Sequence, residues 1–261
     1  MLELNNQNYH STEANREYMS NSQYKDFVTC EAAAMAKLNG LWKEEPSDAL
    51  LMGTYVHAAL EGTLEEFKQS CPELFTQKGE LRSQFKLAER MYQTISNDRM
   101  CMFVLDGQKE VIMTAEFAGC LWKVKLDSYN REGGRFADVK TVKSIRDKYW
   151  DKQYGYVSFV EAFGYLRQVA LYAEIESRWS GSGEWLEPLI VAVSKEDPPD
   201  KQIINVDVSR MSMELEEIEK NMPRILAVKS GLEEPTRCET CKYCRETKQL
   251  RHVLHYTELL A

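Results

Sequence analysis

The segment that most constrains the fold is a pair of predicted strands between residues 121 and 142. Polar and apolar residues alternate from 121 to 129, which is the two-residue period of a half-buried strand. A turn follows at 131–134 (Arg-Glu-Gly-Gly), and a second strand is predicted over 135–142. The two strands predict an antiparallel hairpin in the middle of the chain, and the remaining elements must pack around it.

The elements on either side of this hairpin indicate a mixed α/β core. Helical patterns cover 23–38, 49–67 and 80–95, and a looser strand pattern covers 110–116. After the hairpin we predict a helix at 157–179, strands at 186–194 and 203–208, and an acidic helix at 211–228. We therefore expect one domain over residues 1–261 with its core at about 49–194. Residues 1–20 are predicted to be a loose arm, and 230–261 a cysteine-rich C-terminal segment.

Composition excludes several classes of protein. The chain has 261 residues, of which 43% are hydrophobic and 28% charged, as expected of a globular protein rather than a disordered one. It has neither the roughly 20 consecutive apolar residues of a membrane helix nor a signal peptide, so we expect a cytoplasmic protein without a membrane partner. Because 33 basic residues face 41 acidic ones, for a net charge of −8, nucleic-acid contact would require a local basic patch.

The hairpin carries the residues with the clearest chemistry. Asp138 and Lys140 are two positions apart on a strand and point to the same side, and the preceding strand can bring Asp127 close to them. Two carboxylates beside a lysine suit Mg²⁺ or Mn²⁺, which lowers the pKa of bound water and stabilises charge on a phosphate. The Asp-x-Lys tripeptide alone is common, and in most chains it is a surface ion pair.

Two predicted helices add polar residues at helical spacing. Gly53, His57 and Glu61 share one face, so His57 could be an imidazole ligand, although a single helical histidine is more often structural. Gln168 and Tyr172 are four residues apart on the helix after the hairpin. They form either the polar edge of an amphipathic helix or a pair that reaches a DNA end or a catalytic residue.

The order of these motifs resembles the RecB-like branch of the PD-(D/E)xK nucleases. Gly-x-x-x-His, Asp, Asp-x-Lys and Gln-x-x-x-Tyr follow one another across residues 53–172. The segments 22–31 (Ser-Gln-Tyr-Lys-Asp-Phe-Val-Thr-Cys-Glu) and 237–245 (Arg-Cys-Glu-Thr-Cys-Lys-Tyr-Cys-Arg) also resemble phage and prophage exonucleases related to RecE, or exonuclease VIII. Leu126 replaces the proline of the family's name, at a position that varies within the superfamily. The resemblance implies a restriction-endonuclease-like core with helical additions at both ends.

The resemblance also implies roles for individual residues. His57, Asp127, Asp138 and the Val139 carbonyl become ligands of Mg²⁺ or Mn²⁺. Lys140 becomes the catalytic lysine, and Gln168 with Tyr172 the helix motif. Glu116, on the strand before Asp127, is a further candidate for the site.

By the same resemblance, the protein is expected to digest one strand of linear double-stranded DNA from the 5′ end. The resulting 3′ overhangs would pass to a RecT-type single-strand annealing protein. Relatives of this type imply a ring-shaped homo-oligomer, encoded by a phage or prophage and acting in the cytoplasm of a bacterial host.

The cysteines form a second candidate site. Cys238, Cys241 and Cys244 have the C-x₂-C-x₂-C spacing of ferredoxin-like [4Fe–4S] loops. Cys30 is the best candidate for a fourth ligand, since AddB-type nucleases combine one distant N-terminal cysteine with a C-terminal cluster. Four thiolates also suit tetrahedral Zn²⁺, and free thiols in a surface turn are the third alternative.

A basic segment directly follows the strand of Asp138. Residues 140–152 contain five basic and two acidic residues, and Lys143, Arg146, Lys148, Tyr149 and Trp150 are the candidate DNA-binding residues. A solvated loop explains this segment equally well.

Two other functions also stay open: an AddB-like or CRISPR-adaptation-like iron–sulfur nuclease that trims single-stranded ends, and a catalytically inactive DNA-binding module. The inactive module has no physical reason to keep Asp127, Asp138 and Lys140 together.

Overall fold

A five-stranded mixed sheet forms the centre of the protein. The computed structural model describes residues 2–43, 47–250, 253 and 255–257. Its strands are β1 (Gln108–Phe117), β2 (Cys120–Asn130), β3 (Arg135–Val142), β4 (Tyr149–Asp151), β5 (Gly155–Val157), β6 (Glu187–Ser194) and β7 (Lys201–Asn205). The sheet order is β1-β2-β3-β6-β7, and β4 and β5 form a separate hairpin. Among the paired strands that the structure describes, β3 and β6 form the parallel pair, and the chain between them crosses over through a helix.

Helices cover both faces of the sheet. They are α1 (Thr12–Glu17), α2 (Asn21–Thr29), α3 (Glu31–Leu38), α4 (Asp48–Glu61), α5 (Leu64–Ser70), a 3₁₀ turn (Pro72–Leu74), α6 (Ser83–Ser96), α7 (Arg99–Val104), α8 (Phe159–Ala162), α9 (Tyr165–Ser180), α10 (Val208–Lys229) and α11 (Lys242–Glu246). Successive residues of β6 alternate between two hydrophobic cores, as a strand covered on both faces requires. Ile190 packs with residues of α9 and α10, whereas Val191 packs with residues of α4 and α6. The predicted mixed α/β core is confirmed.

Three predicted helices are each two helices in the structure. The predicted helix at 49–67 breaks at Gly62 and that at 157–179 at Gly164, and both glycines adopt the left-handed conformation in which helices commonly end. The predicted helix at 23–38 breaks at Cys30, whose backbone is extended. This break lets α2 and α3 diverge around the Cys30 side chain.

The prediction that residues 1–20 form a loose arm is wrong. Tyr9, Tyr18 and Met19 are buried. The Met19 N–H donates to the Leu121 carbonyl at 2.8 Å, and the Met19 carbonyl accepts from the Lys123 N–H at 2.8 Å. This end of β2 does not pair with β3, so the N-terminal segment satisfies backbone groups that would otherwise be buried without partners.

The core extends beyond the predicted limit at residue 194. β7 pairs with β6. Met211, Ile218 and Met222 of α10 are buried in the core that α9 and α10 form with one face of the sheet. The C-terminal segment is described to residue 250 and at 253 and 255–257. Within the described part of the chain, no helix has the length and apolar character needed to cross a membrane.

Candidate active site

The candidate site lies where β2 and β3 separate. The two strands pair from Ser128 with Ala137 to Asn130 with Arg135, and beyond this point they diverge. Asp127 and Asp138 are the next residues on the two strands, at the mouth of the fork. The Val139 N–H donates to Oδ2 of Asp127 at 2.7 Å across the gap. Both backbone groups of a strand residue point to the same side, so the Val139 carbonyl also faces the fork.

Asp138 is the buried centre of the site. Its side chain is 3% exposed, and Nζ of Lys140 lies 2.6 Å from its Oδ2. Its Oδ1 accepts a hydrogen bond of 2.9 Å from Nε2 of Gln168, which also donates to the Tyr172 hydroxyl at 3.0 Å. Apart from the ion pair, Oδ2 has no hydrogen bond within the part of the chain that the structure describes. Burial raises the pKa of Asp138 to about 6, and the charge of Lys140 limits the rise.

Lys140 keeps its charge despite its burial. Burial lowers its pKa, but the Asp138 and Asp127 carboxylates raise it, and the net shift of the pKa is upward. Nζ of Lys140 also lies 4.8 Å from the centre of the Tyr165 ring, which supplies a cation–π contact. Lys140 therefore places a positive charge in the site, between the Asp138 carboxylate and the Tyr165 ring.

The helix α4 brings His57 to the fork. Nδ1 of His57 lies 3.4 Å from Oδ2 of Asp127. Gly53 permits this approach, because a Cβ atom at residue 53 would lie 3.2 Å from Oγ1 of Thr141 on β3. Gly53, His57 and Glu61 all line the same cleft, so the predicted common helix face is present.

Glu110 completes the acidic side of the site and was missed from the sequence. Lys109 pairs with Ser128 and Val111 with Leu126, so the register places Glu110 opposite Asp127. Glu110 forms an ion pair with Lys125 and contacts Glu61. Burial and the Glu110 carboxylate raise the pKa of Glu61 to about 7.

The structure does not place Glu116 at the site. It lies six residues further along β1 than Glu110, which is about 20 Å at roughly 3.3 Å per residue, and it is exposed. Glu116 pairs with Leu121 at the far end of the β1–β2 ladder, whereas Glu110 lies opposite Asp127, so the register separates the candidate Glu116 from the fork.

The site opens into a large cleft. A volume of about 1580 Å³ is lined by Glu61, Asp127, Val139 and Lys140, among others. A smaller pocket of about 270 Å³ joins Asp138, Gln168 and Tyr172 to the N-terminal segment through Tyr9 and His10. Burial raises the pKa of Tyr172 well above its usual value, so it is a neutral hydroxyl at physiological pH.

The donor set fits a hard divalent cation. Carboxylate and carbonyl oxygens are the ligands that Mg²⁺ takes, and an imidazole suits Mn²⁺ as well. Asp127, Asp138, Val139 and His57 present these groups around one fork. Oδ2 of Asp138 is buried and is contacted by Nζ of Lys140 at 2.6 Å, so a bound cation would share this oxygen with the lysine.

The four predicted cysteine ligands come together in the structure. Cys30, at the break between α2 and α3, meets Cys238, Cys241 and Cys244 with all four sulfur atoms within 4.8 Å of one another. The Cys241 N–H donates to the sulfur of Cys238 at 3.3 Å. Backbone hydrogen bonds of this kind, from residues 240 and 241, lower the pKa of Cys238 to about 6 and favour its thiolate. Burial raises the pKa of Cys244 to about 12 when no cation is present.

The sulfur–sulfur separations of the cysteine set can be compared with those around two kinds of metal centre. Around one Zn²⁺ with Zn–S bonds of about 2.3 Å, tetrahedral sulfur ligands lie about 3.8 Å apart. In a [4Fe–4S] cube each thiolate binds a different iron, so the ligands stand roughly 6 Å apart. The separations of 3.5 Å between Cys30 and Cys244 and 4.0 Å between Cys238 and Cys244 match the single ion.

The predicted DNA-binding residues lie between β3 and the β4–β5 hairpin. Four of them are exposed: Lys143, Arg146, Lys148 and Trp150. Nζ of Lys143 lies 3.5 Å from Oδ2 of Asp147. Tyr149 differs, because its ring packs on Phe163 at 4.9 Å between centres. Tyr149 is half-buried, and its ring contributes to the packing of the hairpin.

Comparison with known proteins identifies the family to which this fold belongs. Residues 20–247 match a family described as a PDDEXK-like domain of unknown function, DUF3799, and the chain belongs to that family. The crystal structure of a protein from Eubacterium rectale named "Putative exonuclease" is similar, with 44% identity, a TM-score of 0.95, and coverage of 100% of this chain and 99% of that one. The crystal structure of SSO0001 matches at 13% identity and a TM-score of 0.31, over 85% of this chain and 91% of that one. No curated protein matches.

Proposed function

We propose that this protein is a divalent-metal-dependent DNA exonuclease. The observation that carries the proposal is the fork of β2 and β3, where Asp127, Asp138 and Lys140 meet at the edge of an open cleft. The buried Oδ2 of Asp138 is held by the Lys140 ammonium at 2.6 Å, which keeps a carboxylate and a positive charge together at the position where a cation and a phosphate would meet. Membership in a PDDEXK-like family and the name of the Eubacterium rectale relative support the same activity.

Each residue of the site has a defined task in this proposal. His57, Asp127, Asp138 and the Val139 carbonyl would hold Mg²⁺ or Mn²⁺, which supplies positive charge to the phosphate and makes water more acidic. Lys140 is placed to orient the attacking water and to stabilise negative charge on the phosphate. Gln168 fixes Oδ1 of Asp138, so that Oδ2 keeps its orientation, and Tyr172 accepts the second hydrogen of the Gln168 amide.

The finer part of the proposal concerns substrate and partners. We propose digestion of one strand of linear duplex DNA from the 5′ end, with the 3′ overhang passed to a RecT-type annealing protein. A homo-oligomeric ring would keep the enzyme on its substrate, in the cytoplasm of a phage-infected or lysogenic bacterium. Support comes from the motif order over 53–172 and from the entry and exit segments at 22–31 and 237–245.

We also propose that the four cysteines hold one Zn²⁺ with a structural role. The short sulfur–sulfur separations support this assignment over the iron–sulfur cube. The Ala32 N–H also donates to the Thr236 carbonyl at 3.0 Å, so the ion would reinforce an existing junction between α3 and the C-terminal segment.

The test is digestion of end-labelled linear DNA. Duplex with 5′ phosphates, single-stranded DNA and closed circular duplex are each incubated with the protein in Mg²⁺ or in EDTA. We expect Mg²⁺-dependent release of mononucleotides from the 5′ end of linear duplex, no cutting of circles, and loss of activity in Asp138→Asn. Asp197→Asn is the matched control, because that carboxylate forms an exposed ion pair with Arg90 away from the site. Cleavage of single strands alone would contradict the duplex assignment, and absence of all cleavage would contradict the nuclease.

A further inference from the structure

The outer face of the β4–β5 hairpin presents two exposed aromatic rings. Trp150 and Tyr156 are direct cross-strand partners, and their side chains are 69% and 71% exposed. Their ring centres lie 5.3 Å apart at an interplanar angle of 80°. Tyr154, in the turn between the strands, is 59% exposed. The two rings pack on each other, yet they leave a cluster of large aromatic side chains exposed on a hairpin of two three-residue strands, and such clusters mark binding surfaces.

The inner face of the same hairpin connects to the catalytic lysine. Tyr149 packs on Phe163, whose ring centre lies 6.0 Å from that of Tyr165. The Tyr165 ring in turn carries Nζ of Lys140. Phe163 and Tyr165 both line the large cleft. The exposed rings are therefore held at the rim of the candidate active site, one layer of aromatic side chains away from it.

The charge around the hairpin favours a polyanion as its ligand. Residues 143–152, which lead into and include β4, carry four basic and two acidic residues, a local charge of +2 in a chain whose net charge is −8. Lys148 and Lys152 flank Trp150 in sequence and are exposed. Exposed rings interleaved with basic side chains are typical of surfaces that bind single-stranded nucleic acid, where rings stack on bases and cations contact phosphates.

We propose that the β4–β5 hairpin binds the unpaired bases of a DNA end, with Trp150 and Tyr156 stacking on them beside the cleft. The preferred substrate would then have a frayed or single-stranded terminus, so that one strand enters the cleft while unpaired bases rest on the rings. This inference rests on the proposed function for the identity of the nucleic acid. The stacking itself is independent of hydrolysis and can be measured without it.

The test measures binding in EDTA, where no digestion occurs. The probes are a labelled 20-nucleotide single strand, an abasic strand of the same length, and a blunt duplex. Because stacking contributes strongly for each base, we expect Trp150→Ala/Tyr156→Ala to bind the single strand about tenfold more weakly and the abasic strand unchanged. A 2-aminopurine at the strand end should also lose quenching in this variant. Trp150→Phe, which keeps a ring, should retain most of the affinity.

Trp179→Ala is the matched control, since this tryptophan is 49% exposed and packs on Tyr129 at the far end of α9. Equal weakening for the abasic strand would overturn the proposal, because the hairpin would then contact only the backbone. Unchanged binding of all probes would also overturn it, as would a fall in oligomer mass by light scattering, which would assign the rings to a contact between copies. Base-dependent binding by a protein that digests nothing would support the stacking and reject the proposed function. Normal digestion by a protein whose binding does not depend on bases would support the proposed function and reject the stacking.

Discussion

Gln168 donates a hydrogen bond of 2.9 Å to Oδ1 of Asp138, a residue thirty positions earlier in the chain. The bond joins α9 to the mouth of the β2–β3 fork and fixes the plane of the carboxylate. With Oδ1 held by the amide, Oδ2 is left for Lys140 and for a cation. Gln168 therefore acts on the site through Asp138, as residues that orient metal ligands do.

Replacing Gln168 by Leu is expected to weaken Mg²⁺ binding about tenfold, because loss of a residue that orients a metal ligand costs about 10- to 100-fold in metal affinity. At saturating Mg²⁺, kcat should stay within a few fold of the parent value. The measurement is activity as a function of Mg²⁺ concentration. Gln153→Leu, at an exposed position of the hairpin turn, should behave like the parent protein. A Gln168→Leu protein with unchanged Mg²⁺ dependence would show that the amide does not position Asp138.

Replacing Lys140 by Met is expected to lower kcat at least 100-fold without weakening DNA binding. The substitution keeps the length of the buried side chain and removes the charge 2.6 Å from Asp138. A positioned group that orients water or transfers protons contributes about 10²- to 10⁴-fold in rate. Single-turnover digestion gives the rate and anisotropy in EDTA the affinity. Lys220→Met, at an exposed position of α10, should change the rate less than threefold. A Lys140→Met protein with full activity would remove the lysine from the mechanism.

The strands and the core of the site could be predicted because they follow short-range rules. Alternation placed β2 and β3 correctly, and the predicted strand at 135–142 has the bounds of β3. The turn between them sets the register, and the register brings Asp127 and Asp138 to neighbouring positions. The helical spacing of Gln168 and Tyr172 likewise predicted their shared face.

The missed features depend on contacts between distant residues. Lys123 belongs to the polar alternation of β2, yet it is buried beneath the N-terminal segment, where its ammonium donates to Oδ1 of Asn15 at 2.8 Å. Burial lowers the pKa of Lys123 to about 8. A periodic pattern cannot distinguish such a lysine from a solvated one, so the segment with Asn15 was predicted to be loose. Glu110 was missed because its place opposite Asp127 is set by the register of β1 against β2, which the pattern within β1 does not give.

Replacing Glu110 by Gln is expected to lower the pKa of Glu61 from about 7 towards its ordinary value. Burial is the larger cause of the raised pKa and stays in place, but the like charge of Glu110 is removed, so the shift should be partial. Because a raised carboxyl pKa means proton uptake below it, the wild-type cleft should gain negative charge as pH rises through about 7. Carbon NMR titration of labelled glutamates measures this directly. Glu116→Gln should leave the titration unchanged, and an identical result for both variants would contradict the placement of Glu110 beside Glu61.

The cysteine set is expected to hold about one zinc per chain and to show no iron–sulfur absorption near 400 nm. Elemental analysis of protein purified without oxygen gives both metals. Cys241→Ser should lose the ion and lower the Tm, because metal binding that exists only in the folded state adds to stability. Cys71→Ser, outside the four ligands, is the control. Iron and sulfide at four per chain would show that the sulfur atoms move apart to hold a cube.

Glu31 joins α3 to α10 and to the segment before Cys238, and its removal should destabilise the protein in a pH-dependent way. Its Oε2 accepts from Nη2 of Arg224 at 2.7 Å and from the Thr236 N–H at 2.7 Å. The Arg224 hydrogen bond is the main cause that lowers the pKa of Glu31 to about 2 from its usual 4.5. A depressed carboxyl pKa stabilises the fold above about pH 4.5, and this contribution is lost as pH falls through about 2.

Glu31→Gln should therefore reduce the free energy of unfolding by about 2 kcal/mol at pH 7, the value of a charged hydrogen-bonded contact, and by little at pH 2. Urea unfolding of both proteins at each pH, with chelator present throughout so that zinc release affects neither comparison, gives this difference. Glu246→Gln removes a looser pair, 3.8 Å from Lys242, and should cost less than 0.5 kcal/mol at any pH. A difference for Glu31→Gln that persists undiminished at pH 2 would assign its effect to packing, since the carboxyl is then about half protonated in the folded protein and almost fully protonated in the unfolded one, so most of the ionic contribution is lost.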